Sequence, residues 1–146
     1  MPKYHFEIIS SHHHELPSII EASIGKASKQ KIETVLDSYH LDKRILIGCF
    51  LNERLVGVIG IESHRDTLKI LHLSVRANLR NQGIGRELII EAAKQLRPTL
   101  IYAETDGDSI GFYQKLGFIC AAFNRPFGSR FACKKSYPAS IYTIGS

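Results

Sequence analysis

Apolar residues recur along this chain with two periods, every second residue in some stretches and every third or fourth in others, and the switches between them mark out its elements. Tyr4 to Ile9 alternates and predicts a strand. Ser10 and Ser11 offer helix caps, Pro17 suits a first helical turn, and Leu16, Ile20 and Ile24 then share a face. A second, more polar helix runs from Lys26 to Tyr39 and carries Ile32, Val35 and Leu36. Arg44 to Leu51 and Leu55 to Glu62 predict a hairpin turning near Asn52-Glu53. A polar turn from Ser63 to Asp66 leads into a strand ending at Val75. After Gly83 the helical period returns, with Ile84, Leu88, Ala92 and Leu96 on one stripe, Ile89 and Ala93 beside it, and Pro98 as the stop. Leu100 to Thr105 predicts a strand. Phe118 to Phe123 and Phe131 to Lys135 predict a terminal hairpin around Asn124-Arg125-Pro126-Phe127-Gly128. The order is βααββββαβαββ, in which the third and fourth strands can merge. No repeat, linker or low-complexity tract interrupts it, so residues 1–146 are expected to form a single domain.

The segment from Leu71 to Lys94, LHLSVRANLRNQGIGRELIIEAAK, carries the first chemistry. An apolar strand passes through an arginine-bearing loop and turns at glycines into an amphipathic helix. The first N–H groups of a helix have no internal partners and the dipole is positive there, so this is an anion-binding device. Gly83 and Gly85 lack a Cβ and let phosphate oxygens approach the main chain, while Arg80 and Arg86 add positive charge. The dinucleotide fingerprint fails, because its third glycine falls on Leu88, and the Gly-Lys-Ser/Thr of a P-loop is missing.

A second informative stretch is IYAETDGDSIGFYQKLGF, from Ile101 to Phe118. It reads as a strand, a helix and a terminating glycine. Asp106 or Asp108 can accept from the first helical N–H groups, and Gly117 suits a left-handed C-terminal residue.

Arg80-Asn81-Gln82-Gly83-Ile84-Gly85, with FYQKLGF one strand downstream, resembles the acyl-CoA-binding and second motifs of the GNAT N-acetyltransferase superfamily. The resemblance covers nearly the whole chain, most specifically Leu71 to Phe118. It implies an α/β (α+β) fold, a mixed, mostly antiparallel twisted sheet with helices on both faces. It also implies transfer of an acetyl group from acetyl-CoA to a primary amine by direct attack in a ternary complex. Backbone groups near Leu73 and Val75 would meet the pantetheine arm and acyl carbonyl. Arg80, Asn81, Gln82, Gly83, Ile84, Gly85 and Arg86 would hold the pyrophosphate, with Asp106 also near the cofactor. Tyr113 corresponds to the acid at the leaving sulfur; the alternative is an aromatic that packs the helix on the sheet. An alkylammonium with a pKa of about 10.4 needs a proton acceptor. His72, Glu104 and a water chain stay open for that role. Alternation turns His72 away from the face of Leu71 and Leu73, and a structural histidine or a solvated strand-end acid are the plain readings of the two residues. A non-catalytic acyl-CoA sensor of the same fold is the alternative function.

Composition narrows this little. Of 146 residues 44% are hydrophobic and 23% charged, as in ordinary globular domains, and such a length buries about two-thirds of the unfolded surface. Apolar runs are too short to span a bilayer and the N-terminus lacks a signal-peptide core, so no membrane partner is expected. The net charge of +5 suits a phosphorylated cofactor. Basic residues are scattered among acids, which argues against a nucleic-acid-binding domain. Cys49, Cys120 and Cys133 lack metal-ligand spacing and are expected as buried reduced thiols, which fits the cytoplasm. His12-His13-His14 fan apart at a helix start and complete no metal site. The acceptor amine would be chosen by Ile24 to Leu41 and Asn124 to Phe131, and the resemblance allows a homodimer.

Overall fold

A computed structural model describes residues 3–24, 28–125, 128–138 and 141. Among them, seven strands form one sheet: β1 (Tyr4–Ile9), β2 (Arg44–Leu51), β3 (Arg54–His64), β4 (Thr67–Val75), β5 (Leu100–Thr105), β6 (Ile119–Arg125) and β7 (Gly128–Ser136). Their order is β1-β2-β3-β4-β5-β7-β6. The helices are α1 (Leu16–Ile24), α2 (Lys29–Asp37), α3 (Ile84–Leu96) and α4 (Ile110–Lys115), with 3-10 turns at Ser38–His40 and Ala77–Leu79. Three strands, rather than four, separate α2 from α3. The mixed, mostly antiparallel sheet with helices is the expected class. By packing, the chain divides into two compact units, residues 1–62 with 71–96, and residues 63–70 with 97–146.

In the first unit, β1, β2 and β3 form antiparallel ladders. Asn52 and Glu53 both have positive φ, 51° and 68°, as a two-residue hairpin turn with the sheet's own twist requires. Cys49 faces Gly57 while Phe50 faces Leu55, so Val56 is the extra residue of a bulge. Either side of that bulge the two faces bury different helices. Leu46, Phe50, Leu55 and Val58 join Leu16, Ile19, Ile20, Leu36 and Tyr39 in one cluster beneath α1 and α2. Burial of each such large aliphatic side chain is worth about 1.5–3 kcal/mol. Gly57, out of phase with Val58, faces α3 instead. A Cβ there would stand 2.9 Å from Ile84 and 3.2 Å from Leu88, so α3 packs directly on the β3 backbone. Ile84, Leu88, Ile89, Ala92 and Ala93 are buried, whereas Leu96, expected on the same stripe, is 37% exposed in the last turn.

Helix starts depart from the sequence reading. Ser10 accepts the His12 N–H in a turn ahead of α1, and α2 begins at Lys29 behind a Ser28 cap that accepts from Lys31. The expected start at Lys26 lies outside the described residues.

In the second unit, β4 and β5 pair in parallel from Thr67↔Leu100 to Ile70↔Ala103, the direction a helical crossover imposes. β7 then pairs antiparallel with β5 on one side and β6 on the other. The expected hairpin is present, although Pro126 and Phe127 of its turn lie outside the described residues.

Two of the three expected reduced thiols are instead joined. Cys120 and Cys133 are cross-strand partners on β6 and β7, with Cα atoms 4.1 Å apart, and form a disulfide. Strand contexts alone gave no register, so this pairing was hidden. Cys49 remains a free, buried thiol, pushed up to about 12 by burial and then by the Glu87 charge. With one pair bonded, cysteine usage no longer argues for the cytoplasm. No helix among the described residues is long and apolar enough to cross a membrane.

Candidate active site

The exit of β4 is held by three bonds from one side chain and its backbone. The Arg76 N–H donates to the carbonyl of the bulged Val56 at 2.9 Å, and its Nε donates to Leu55 at 2.7 Å. Its terminal nitrogen donates to Glu15 Oε2 at 2.9 Å. Glu15 also accepts from Arg54 at 2.8 Å and from the Leu55 N–H at 3.2 Å. Burial alone would raise the Glu15 carboxyl, but the bonds from Arg54 and Leu55 and the charges of Arg54 and Arg76 outweigh it and hold it at about 2. Neither Glu15 nor Arg76 stood out in the sequence, because 61 positions separate them.

From Arg76 the chain makes the Ala77–Leu79 turn, runs extended through Arg80, and reaches Asn81 and Gly83 with φ of 63° and 87°. Those two left-handed residues turn the backbone into α3. Nothing lies within 4 Å of a Cβ placed on Gly83, so space for a bound group adjoins the main chain. Asn81, Gln82 and Arg86 are exposed. Arg80, also exposed, reaches back to the Val75 carbonyl with a long 3.4 Å contact. Gly85 sits within the first turn of α3, and the Ile84 side chain is core, which leaves Ile84 its N–H to offer. Leu73 and Val75 are half-buried near the end of β4.

His72, also on β4, does not follow simple alternation. Leu71 packs against the cluster of α1 and α2, and His72 bonds to Tyr39 of that same cluster, Nδ1 to hydroxyl oxygen at 2.6 Å. Burial, and then the Arg44 charge, lower the imidazole from its ordinary value, so it is neutral near pH 7. Of the three adjacent histidines, His12 meets His40, while His13 meets Phe50, accepts the Glu15 N–H and is stacked with His14.

In the second unit Tyr102 and Glu104 share a face of β5. The Tyr102 hydroxyl donates to Glu104 Oε2 at 2.8 Å, and the Lys69 ammonium is 3.8 Å from the same oxygen. Glu104 is therefore already engaged by a donor and a cation. Asp106 accepts the Ser109 N–H at 2.9 Å and caps the turn before α4, the capping alternative for that residue.

Tyr113 owes its placement to how α4 ends. Gly117, φ 92°, sends its N–H to the Gln114 carbonyl, and Phe118 sends its N–H to the Tyr113 carbonyl, a Schellman close. The Phe118 ring meets Tyr113 edge-on at 5.2 Å, and Lys135 donates to the Leu116 carbonyl at 2.7 Å. Tyr113 is 6% exposed, and burial pushes its phenol up to about 12. It remains protonated throughout the neutral range.

A model of the acetyltransferase (GNAT) family matches residues 13–118. The chain is 28% identical over 100 residues to YvbK of Bacillus subtilis (strain 168), described as an uncharacterized N-acetyltransferase; the match covers 64% of each chain, so this chain spans less than two-thirds of that relative. A Bacillus subtilis acetyltransferase solved in complex with CoA superposes with a TM-score of 0.72 at 21% identity, over 93% of this chain and 100% of that one. An aminoglycoside 6'-N-acetyltransferase complexed with coenzyme A reaches 0.77 at 16% identity, over 92% and 98%. At these identities the two structures speak for the fold.

Proposed function

The chain belongs to the acetyltransferase (GNAT) family, and from that membership we propose that it moves an acetyl group from acetyl-CoA to a primary amine by direct attack in a ternary complex, the whole chain serving as one N-acetyltransferase domain. The observation that carries this reading is the entry to α3. There Gly83 at positive φ borders open space, with arginines on either side and a 13-residue helix behind. A helix of that length presents about half a positive charge at its start. The N–H groups from Gln82 to Arg86 hold the pyrophosphate in this reading, and Arg80 and Arg86 add charge. Backbone groups of Leu73 and Val75 take the pantetheine arm.

Acetyl-CoA supplies the activated acyl carbon and a thiolate leaving group. His72 accepts the proton of the arriving ammonium; it is neutral at rest and keeps one ring nitrogen beyond its bond to Tyr39. Glu104, already paired, holds cationic groups and is the weaker base candidate. A backbone N–H near Val75 meets the charge that grows on the acyl oxygen. Tyr113 donates its proton to the departing sulfur. Acetyl-CoA is an intracellular metabolite, so the proposal places the reaction in the cytoplasm.

The test is release of free CoA from acetyl-CoA with a panel of amines: aminoglycosides, amino acids, small alkylamines and peptides with free N-termini or lysines. Release that depends on one class of amine supports transfer and identifies the acceptor. Tight acetyl-CoA binding without turnover across the panel makes the chain a sensor of the same fold. Salt-sensitive nucleic-acid binding without CoA affinity replaces both readings.

A further inference from the structure

Tyr39 and His72 stand 33 positions apart and meet through a single short hydrogen bond. The 3-10 turn after α2 lowers the Tyr39 ring into the α1–α2 cluster, where it is 8% exposed. Gly60, in the middle of β3, makes the room: a Cβ on Gly60 would overlap the Tyr39 hydroxyl oxygen. An interior glycine weakens a strand by roughly 0.5–1 kcal/mol relative to alanine, and the phenol it admits accounts for its presence. The Tyr39 and His72 rings are tilted at 54° with centroids 5.8 Å apart, so the hydrogen bond rather than stacking fixes their relation. Arg44 and Glu62, an ion pair across β2 and β3, are the charged groups felt by this site.

We propose that Tyr39 is a positioning residue for His72: its hydroxyl oxygen accepts the Nδ1–H, which fixes the tautomer and leaves the Nε2 lone pair for the ammonium of the acceptor amine. The proposal rests on the transfer reaction above. In that step an ammonium N–H bond breaks and an Nε2–H bond forms. The amine nitrogen keeps the electron pair with which it attacks the acyl carbon. His72 becomes an imidazolium that still donates Nδ1–H to Tyr39. In the opposite tautomer Nε2 carries the proton and has no lone pair for the ammonium, while the Nδ1 lone pair is turned to the buried phenol that donates to it. Burial keeps the phenol itself protonated, with Arg44 acting against it and Glu62 with it.

The deciding measurement is the nitrogen NMR spectrum of His72 in the resting protein, assigned by its loss in His72→Gln. A protonated Nδ1 and a bare Nε2 in the wild type, giving way to mixed tautomers in Tyr39→Phe, is the expected result. A proton on Nε2 in the wild type, or a spectrum that Tyr39→Phe leaves unchanged, overturns the proposal. In turnover, Tyr39→Phe lowers kcat by about tenfold or more, up to the roughly 10²–10⁴ that a general base supplies, and leaves the KM for acetyl-CoA unchanged. That unchanged KM also reports an intact fold. Gly60→Ala displaces the hydroxyl without removing it and gives the same spectral change. The spectrum needs no substrate, so failure of every amine in the panel sinks the transfer reaction and is read separately from the tautomer.

Discussion

Ser74 is a buried hydroxyl on β4, 4% exposed, and its Oγ has no hydrogen-bond partner among the described residues. Such a group forfeits its bonds to water on folding. Ser74→Ala therefore raises stability by about 1 kcal/mol, read as a higher melting temperature; a lower one shows that the hydroxyl is satisfied. Glu15 behaves in the opposite sense. Its folded pKa of about 2 lies below the usual 4.5, so its contribution is complete above about pH 4.5 and is lost as pH falls towards 2. The stability gap between wild type and Glu15→Gln should narrow over that window, and a constant gap in acid melts removes the charge argument. Gly83 and Gly117 were legible in the sequence as turn glycines, with φ of 87° and 92°, because a turn is set within a few positions. Tyr39, Gly57, Gly60, Glu15 and Arg76 were not, since each takes its meaning from a residue that only the sheet brings near.

Elements were legible to the extent that their signals are local. β2 and β5 fall on the predicted residues, and the β2–β3 turn falls on Asn52-Glu53. Alternation misjudged His72, because it assumes an undistorted strand whose neighbouring side chains point oppositely. The helical stripe misjudged Leu96, because periodicity does not show where covering residues run out. α4 has only six residues, too few to be stable alone, so its Schellman close has to define the Tyr113 position. Gly117→Ala forces a Cβ into φ 92° at a cost of about 1–2 kcal/mol. The expected outcome is a lower kcat with acetyl-CoA KM little changed, measured by steady-state kinetics. Gly83→Val strains the other turn, at φ 87°, and the split reverses: acetyl-CoA KM rises about tenfold or more while kcat is nearly kept. Unaltered cofactor kinetics would remove the loop from the binding site.

At the scale of the whole molecule, the class of fold was expected from the family resemblance of the two motifs and the matching order of elements, but the order of strands was not. The terminal hairpin predicts that β6 and β7 pair; it does not say that β7, the later strand, lies against β5. The register within that hairpin, a separate matter, sets Cys120 opposite Cys133, and the bond between them follows from it. Titration of thiols in unfolded, unreduced protein should find one, Cys49, and three after reduction; three from the outset refutes the disulfide.

The Tyr39 hydroxyl also has a consequence in time. A tyrosine ring flips about the line through Cβ, Cγ, Cζ and the hydroxyl oxygen, so the oxygen lies on its own axis of rotation. A flip sweeps the ring carbons through the core and leaves the bonded oxygen where it was. Breathing of the α1–α2 cluster fast enough to average the two ring edges is then compatible with an unbroken contact to His72. Breaking that contact takes a motion that moves the oxygen or the imidazole itself, such as displacement of the Ser38–His40 turn or rotation of the His72 side chain, rather than a flip of the tyrosine ring.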